Sequence, residues 1–303
     1  MFCKGMHYGF KKSSNKSEPF LFTPKEKDSA RGKRIMQIRI VGSGGSIPTP
    51  KIGCSCSVCT KAREVGKPYK RNSNSIYLAD AKAIFDCPED ISNSVNENGI
   101  KEIDALFITH WHPDHCFGLR LLMQYGYDFY SERVNHQLSL FIPENVYKIL
   151  VKVYPAIKFQ LENLGTAKLT LVADREIITI NEMTIQPIDF NGKDADTFGF
   201  LLSDGSKNVL YSPCDTLGFI TYHEFKKLDL WITECGCFSD YKGEISFEKT
   251  IQRINEINPA KTIFTHIEEE ELNMAGWEYM ETLKEKYCDT NFEFAYDTMI
   301  IDV

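Results

Sequence analysis

The sequence contains one stretch, His110-Trp111-His112-Pro113-Asp114-His115, in which four of six side chains can bind a metal ion. It follows the apolar segment Asp104–Thr109, which predicts a buried strand ending in a loop. Residues two apart in an extended segment share a face, so His110 and His112 can present their rings to one ion. Asp114 and His115 follow as the chain turns into a helical run, and they can face a second ion about 3.5–4 Å away. The stretch therefore predicts a two-metal centre at a strand end.

A second cluster of metal-competent side chains lies nearer the start of the chain, at Cys54-Ser55-Cys56-Ser57-Val58-Cys59. Three thiolates in this spacing can surround a zinc ion tetrahedrally when a fourth ligand arrives from elsewhere in the fold. Cys235 or Cys237, which follow a predicted strand, could supply it. We therefore expect a structural zinc that holds a loop beside the first cluster. Free buried cysteines or a redox pair are the alternative.

The composition fits a globular chain. With 303 residues and 43% hydrophobic content, it can bury a large core as one domain, or two at most. No run of 18 or more apolar residues suggests a membrane span, and the first residues lack the apolar stretch of a secretory signal. Ten cysteines without such a signal favour a reducing compartment. We expect a cytoplasmic protein.

Charge is distributed unevenly along the chain. Residues 1–34 contain nine Lys or Arg against three acidic residues, so the net charge of −7 combines +6 there with −13 in residues 35–303. The first segment is rich in Ser, Lys and Pro and has no hydrophobic period, which predicts a disordered basic arm before a single domain at 35–303. Such an arm could contact nucleic acid or an anionic surface, although a merely solvated tail is the simpler interpretation. The acidic remainder does not favour general nucleic-acid binding.

The hydrophobic pattern predicts strands in blocks that are separated by helices, an arrangement that fits two stacked sheets with helices outside. Helices are predicted at 88–95, 116–124, 143–154, 246–257 and 272–286. Strands are predicted at 36–41, 75–79, 82–86, 104–109, 168–172, 176–180, 184–189, 198–202, 208–212, 228–233, 261–265, 292–295 and 299–302.

The histidine motif in its strand–loop–helix setting resembles the metallo-β-lactamase superfamily of dinuclear metal hydrolases. The glycine loop Val41-Gly42-Ser43-Gly44-Gly45-Ser46 after the first strand extends the resemblance, which covers about residues 36–303. The cysteine cluster makes the chain most similar to the branch of phosphonate-degradation phosphodiesterases, which cleave cyclic ribose phosphates. The resemblance implies an α/β fold, specifically a four-layer αββα sandwich.

The resemblance also implies ligands for each ion. His110 and His112 would hold the first metal, Asp114 and His115 with His266 would hold the second, and Asp215 would bridge the two. A metal-bound hydroxide would be the nucleophile, and Asp114 would orient it. In the resembled phosphodiesterases a histidine completes the cysteine-bound zinc site. The residue at that position here is Glu269.

Two residues depart from the pattern of the resembled family. Asn191 stands where a third histidine would hold the first metal, and the sequence contains no histidine between His136 and His223. The first ion should therefore bind more weakly, or a metal that accepts oxygen ligands, such as manganese, should be preferred to zinc. Glu244 stands where those enzymes have a proton-donating histidine. It could protonate a leaving alkoxide, or it could simply precede the first residues of a helix.

Together these features predict a hydrolase with two divalent ions, zinc or manganese, and one structural zinc, acting on a small-molecule phosphodiester or cyclic phosphate. One alternative is an accessory or biosynthetic metal protein with a modified centre, similar to the pyrroloquinoline quinone biosynthesis protein B. A third hypothesis is an RNA-processing nuclease, although the inserted basic arm by which such enzymes recruit tRNA is not recognisable here. We expect no membrane association, and a homodimer is plausible.

Overall fold

The computed structural model of the chain describes residues 35–190, 196–218, 225, 227–238 and 245–303. The chain divides into two units, 1–33 and 34–303. Residues 1–34, for which the sequence predicts a basic arm, lie outside the described residues. That prediction therefore remains a prediction.

Sixteen strands are found in the described residues, and they are numbered here along the chain. Their bounds are β1 (Gln37–Gly42), β2 (Ser75–Leu78), β3 (Ala83–Phe85), β4 (Ala105–Phe107), β5 (Tyr127–Asp128), β6 (Arg133–Val134), β7 (Leu138–Pro143), β8 (Ala167–Val172), β9 (Ile178–Ile180), β10 (Met183–Asp189), β11 (Phe198–Ser203), β12 (Asn208–Ser212), β13 (Leu230–Glu234), β14 (Thr262–Thr265), β15 (Phe292–Phe294) and β16 (Ile300–Asp302).

Fourteen of these strands form two seven-stranded sheets. The first has the order β16-β1-β2-β3-β4-β7-β8, the second has the order β15-β14-β13-β12-β11-β10-β9, and β5 and β6 pair separately. In the first sheet β3, β4, β7 and β8 run parallel, and in the second β12, β13, β14 and β15 do so. Each sheet therefore presents several carboxyl strand ends at one edge, where side chains from different strands can meet.

The helices cover the outer faces of the sheets. They are α1 (Ser57–Val65), α2 (Ile91–Glu97), α3 (Pro113–Cys116), α4 (Leu121–Gly126), α5 (Glu144–Val153), α6 (Ala156–Lys158), α7 (Phe247–Ile257), α8 (Glu269–Ala275) and α9 (Tyr279–Lys286). A π-helical segment follows α6 at Phe159–Leu164, and short 3-10 turns lie at Ala79–Ala81 and Thr216–Gly218. The hydroxyl of Ser246 caps α7 by accepting a hydrogen bond from the Lys249 amide, as the serine before an apolar helical run predicts.

The core is divided into three layers, because alternate residues of a strand point to opposite faces of its sheet. Phe107 of β4 packs between the sheets with residues of the second sheet such as Phe200, whereas the preceding Leu106 faces a cluster that includes Leu150 of α5. On the second sheet Trp231 faces the outer cluster that α7 and α9 complete. Helices therefore lie outside two stacked sheets, and the predicted αββα sandwich is confirmed.

Three local predictions differ from the structure. The single helix predicted at 272–286 is wrong, because α8 ends at Ala275, Gly276 takes a φ of 83° and α9 begins at Tyr279. That conformation is easy for glycine and ends a helix. The helical run predicted at 116–124 is divided between α3 and α4. The sequence also gave no indication of α1 or β7. Among the described residues, no helix is long and apolar enough to span a membrane.

Candidate metal centres

Four polar residues follow the carboxyl ends of strands from both sheets. Asp86 follows β3 and His110 lies three residues beyond β4 in the first sheet, while Asp215 follows β12 and His266 follows β14 in the second. Asp86, Asp215 and His266 have φ values of 66°, 48° and 52°. Non-glycine residues rarely occupy this left-handed region, and they are concentrated at functional sites where the surrounding structure supports the strain. The two sheets thus direct side chains of four strand ends toward one place.

The closest group of donor atoms joins Asp114, His115 and His266. Nε2 of His115 lies 3.2 Å from Nε2 of His266 and 3.3 Å from Oδ2 of Asp114. The same carboxylate oxygen lies 3.4 Å from Nε2 of His266. Three electron-rich atoms this close repel one another unless a proton or a metal ion lies among them. The group therefore fits a cation, and it is the trio that the sequence assigned to the second metal.

A second group shares His115 and adds His110 and Cys214, with all ligand atoms within 4.8 Å of one another. The His110 side chain is fully buried, and its Nε2 has no hydrogen-bond partner within the described residues. A buried ring nitrogen without a partner is costly, so this atom is also suited to bind a metal ion. The ring of His112 lies 4.6 Å from that of His110, between centroids, but His112 belongs to neither group of described residues.

The imidazole of His115 is oriented by a buried carboxylate. Oδ2 of Asp86 lies 2.8 Å from Nδ1 of His115, and its Oδ1 accepts hydrogen bonds of 2.9 and 2.8 Å from the amide and hydroxyl of Thr109. Nδ1 of His110 lies 2.9 Å from the same hydroxyl. Metal-binding histidines commonly engage their second nitrogen in this way, which leaves Nε2 for the ion. Asp86 and Thr109 thus position both rings.

The glycine loop brings a second carboxylate to the centre. Oε1 of Glu268 lies 3.3 Å from Nδ1 of His266 and accepts a hydrogen bond of 2.9 Å from the amide of Ser46. A Cβ atom on Gly45 would lie only 2.1 Å from this carboxylate oxygen. Gly45 therefore allows the close approach of Glu268, which in turn holds the ring of His266.

The electrostatics of the group favour a positive charge. Burial opposes protonation of His115, but the carboxylates of Asp114 and Asp86 outweigh burial and hold its pKa well above the usual range. Burial likewise opposes ionisation of Asp114, and the neighbouring His115 outweighs it, so the pKa of Asp114 is lowered. Burial and the surrounding histidines hold the pKa of His110 well below its ordinary value. A cation is thus stabilised beside Asp114, and His110 stays neutral, the form that binds metal.

The cysteine cluster forms a separate candidate site. Cys54, Cys56 and Cys59 converge with Glu269, their ligand atoms lying within 4.8 Å of one another. Oε1 of Glu269 lies 2.8 Å from Sγ of Cys59 and 3.6 Å from Sγ of Cys56. The other oxygen, Oε2, is buried without a hydrogen-bond partner among the described residues. Three sulfurs and a carboxylate form a four-donor set suited to zinc.

The predicted site residues fall into three classes. His110, Asp114, His115 and His266 meet in the groups described above, while Cys54, Cys56, Cys59 and Glu269 meet in the cysteine cluster. His112 and Asp215 lie nearby, Asp215 with Oδ2 3.3 Å from Oγ1 of Thr197. Cys235 and Cys237, the alternative zinc ligands, do not join the cluster of described residues. Asn191 and Glu244 lie outside the described residues.

Three residues that shape the centre are not among the predicted site residues: Asp86, Cys214 and Glu268. Each adjoins an element that was recognised, since Asp86 ends a predicted strand, Cys214 precedes Asp215, and Glu268 is two residues beyond His266. A search for polar residues at the last position of each predicted strand and in the three positions beyond it would have found all three.

Comparison with known proteins agrees with this geometry. A family model described as "Beta-lactamase superfamily domain" matches residues 84–267, which include the histidine motif and His266. An "Octanoyltransferase" of Porphyromonas gingivalis is 28% identical over 157 residues, covering 46% of this chain and 31% of that protein. A "Ribonuclease Z" of Clostridium tetani is 29% identical over 140 residues, covering 45% of this chain and 39% of the relative. The chain thus spans less than half the length of either curated relative.

Among solved structures, a diphosphatase described as belonging to the PhnP family superposes with a TM-score of 0.68. It is 20% identical and covers 88% of this chain and 98% of its own. A likeness at this identity shows a shared fold.

Proposed function

Because this chain belongs to the metallo-β-lactamase superfamily of mainly metal-dependent hydrolases, we propose that it cleaves a phosphodiester or cyclic phosphate in a small molecule. The observation that supports the proposal is that two groups of metal-donor side chains lie next to each other, because both include His115. One group contains the carboxylate of Asp114, and the other contains Nε2 of His110, which has no hydrogen-bond partner in the part of the chain that the structure describes. Two ions held side by side, one by each group, suit an in-line displacement at phosphorus.

The residues fit divalent ions, which supply an activated water and offset the negative charge that develops during phosphate-ester cleavage. Asp114 would accept a hydrogen bond from the attacking water and orient it toward phosphorus, because its carboxylate is buried between His115 and His266. Asp86 and Glu268 would keep the two rings in place through Nδ1. Asp215 would bridge the two ions, and His112 would complete the group around His110.

The leaving alkoxide needs a proton, and the residue proposed to donate it is Glu244. A carboxylic acid can serve as general acid when its surroundings raise its pKa toward neutrality. The proposal rests on the position of Glu244 in the sequence, where the resembled phosphodiesterases have a histidine. Asn191 is proposed as a weak oxygen ligand of the first ion on the same basis.

The cysteine cluster is proposed to hold one structural zinc. Its donor set supports that role, and the orphaned Oε2 of buried Glu269 marks a polar atom that an ion would satisfy. Glu269 opens α8 and directly follows Glu268, the residue that contacts His266. A zinc ion there would tie the loop at residues 54–59 to the segment that carries His266, and so stabilise the active centre from outside.

A second candidate function is RNA processing. It is favoured by the similarity to the Clostridium tetani protein named Ribonuclease Z. The accessory-protein alternative rests on Asn191 and Glu244, the two departures from the phosphodiesterase pattern. A cytoplasmic location, manganese as an alternative to zinc, and a homodimer remain predictions.

The decisive experiment is hydrolysis by the purified full chain loaded with zinc or manganese. The substrates are bis-(4-nitrophenyl) phosphate, a nucleoside 2′,3′-cyclic phosphate and a tRNA precursor. We expect turnover of the first two, its loss in Asp114→Asn, and unchanged turnover in His136→Ala, a variant of an exposed histidine. Cleavage of only the tRNA precursor would favour the nuclease. No cleavage of any substrate by protein with both ions bound would overturn the proposal in favour of an accessory role.

A further inference from the structure

The structure contains a thiol at the active centre for which the predicted ligand set has no role. We propose that Cys214 is a direct metal ligand there, supplying a thiolate to the ion held by His110. The inference deepens the proposed function and rests on it, because it assumes that the histidine centre binds metal. Cys214 would then be a ligand of the first ion, for which Asn191 stands in place of the histidine of the resembled family, and it would determine which metal that ion is.

The position of Cys214 supports this role. It lies two residues beyond β12, immediately before Asp215, and is partly buried. Its sulfur belongs to the group with His110 and His115 in which all ligand atoms lie within 4.8 Å of one another. Cys214 therefore lies beside two histidines of the centre.

A cysteine near histidines is not in itself a metal site, but His110 provides an independent indication. Its ring is completely buried, and Nε2 has no hydrogen-bond partner within the described residues. Nδ1 is already engaged with the Thr109 hydroxyl at 2.9 Å. The remaining nitrogen therefore lacks a partner in a group whose other members, His115 and Cys214, are both metal ligands by chemistry. An ion bound by His110 and Cys214 would satisfy it, while Nε2 of His115, whose Nδ1 is engaged by Asp86, serves the adjoining ion beside Asp114.

A thiolate from Cys214 would also compensate for the weak metal binding that is expected of Asn191. An amide oxygen is neutral and a poor donor for zinc, whereas a thiolate carries a full negative charge and binds zinc strongly. On binding, the ion displaces the thiol proton to solvent. A nitrogen and sulfur donor set disfavours manganese, which prefers oxygen ligands. The donor set of His110 and Cys214 therefore favours zinc as the bound ion, whereas Asn191 alone would favour manganese.

Cobalt(II) provides a direct test, because it substitutes for zinc and shows a sulfur-to-cobalt charge-transfer band in the near ultraviolet when a thiolate binds it. The probe is cobalt(II) added to metal-free full-length protein, with bound cobalt counted by elemental analysis. The variants are Cys214→Ser and Cys214→Ala, and the control is Cys288→Ser, which removes an exposed thiol. The cysteine cluster contributes the same band to every variant, so the difference spectrum reports Cys214 alone.

We expect Cys214→Ser and Cys214→Ala to lose part of the charge-transfer band, while Cys288→Ser keeps the full band. A third variant, Cys214→His, should lose the same part of the band but still bind as much cobalt as the wild type. We also expect the wild type to bind zinc with a larger advantage over manganese than Cys214→Ser does. Circular dichroism of each variant identifies any loss of folding, and Cys214→His, which keeps a metal donor at this position, provides the comparison if the smaller side chains prevent folding. Equal band intensity in folded wild type and Cys214→Ser, at equal bound cobalt, would overturn the proposal.

The failure of the proposed function has a different signature. If His266→Ala and His110→Ala bind as much cobalt as the wild type, the histidine centre does not bind metal, and both proposals fall. If those variants lose cobalt but Cys214→Ser changes neither the spectrum nor the metal preference, only the assignment of Cys214 falls.

Discussion

Nδ1 of His115 lies 2.8 Å from Oδ2 of Asp86, and both side chains are fully buried. This contact orients the ring so that Nε2 faces Asp114 and His266. The carboxylate also accepts two hydrogen bonds from Thr109, the residue before His110. One buried side chain therefore positions histidines of both donor groups.

Asp86→Asn should weaken metal binding without removing a ligand. The amide is neutral and stabilises the His115 ring less well in the orientation that binds an ion, so affinity should fall by about 10–100-fold. Isothermal titration of metal-free protein with zinc measures this. Asp104→Asn, a variant of an exposed carboxylate just before β4, is the control and should bind as the wild type does. Equal affinity in the two variants would show that Asp86 has no positioning role.

The two candidate sites should lose metal independently. His110→Ala should reduce metal at the histidine centre and leave the cysteine-bound zinc. Cys56→Ser should do the reverse and also lower the melting temperature, because zinc binding at a structural site is linked to folding. Elemental analysis of both purified variants, with circular dichroism during heating, provides the measurement. The same loss of metal in both variants would mean that there is only one site.

Asn191→His should strengthen a centre that lacks one imidazole. We expect tighter binding of the first ion and faster cleavage of bis-(4-nitrophenyl) phosphate at limiting metal, since a fuller centre supplies more activated water. The gain should be larger when Cys214→Ser is also present, because the histidine then replaces a lost donor. Metal-titrated hydrolysis by the single and double variants tests this. A histidine that binds metal yet adds no turnover in either background would contradict the prediction.

Asp90 should make the protein less stable as the pH rises. Burial, helped by the charge of Asp297, raises its pKa from 3.8 to about 6, and its Oδ1 is buried without a partner among the described residues. The folded state therefore favours the neutral acid. Its contribution to stability is complete below about pH 4 and is lost as the pH rises through about 6.

The free energy of unfolding should fall by on the order of 2 kcal/mol because of Asp90. Urea unfolding between pH 4 and pH 7 measures it. Asp90→Asn should flatten the pH dependence in this range, whereas Glu89→Gln, which alters the exposed neighbouring acid, should leave it nearly unchanged. The same slope in wild type and Asp90→Asn would exclude Asp90 as the source.

The short-range pattern of apolar and polar residues was sufficient to predict many of the strands and helices. Apolar runs predicted β12 at its exact bounds, and helical spacing with a serine cap predicted α7 to within one residue. Both signals depend on residues only a few positions apart. The helix predicted at 272–286 failed because Gly276 has a left-handed φ of 83° there, a conformation that is favoured locally but not required by the sequence.

The sequence by itself determined the histidine and cysteine motifs, because each depends on short-range spacing, and the resemblance that they carry implied the metallo-β-lactamase family and its sandwich fold. Only the tertiary structure decided that Asp86 supports His115 and that Cys214 joins His110, and it brings Glu269, the residue that the resemblance implied, to the three cysteines. The hydrogen-bonded pairs among these partners are separated by 29 to 213 residues along the chain. Their meeting depends on the order of strands in two sheets and on left-handed turns at strand ends. Neither is encoded in the spacing of neighbouring residues.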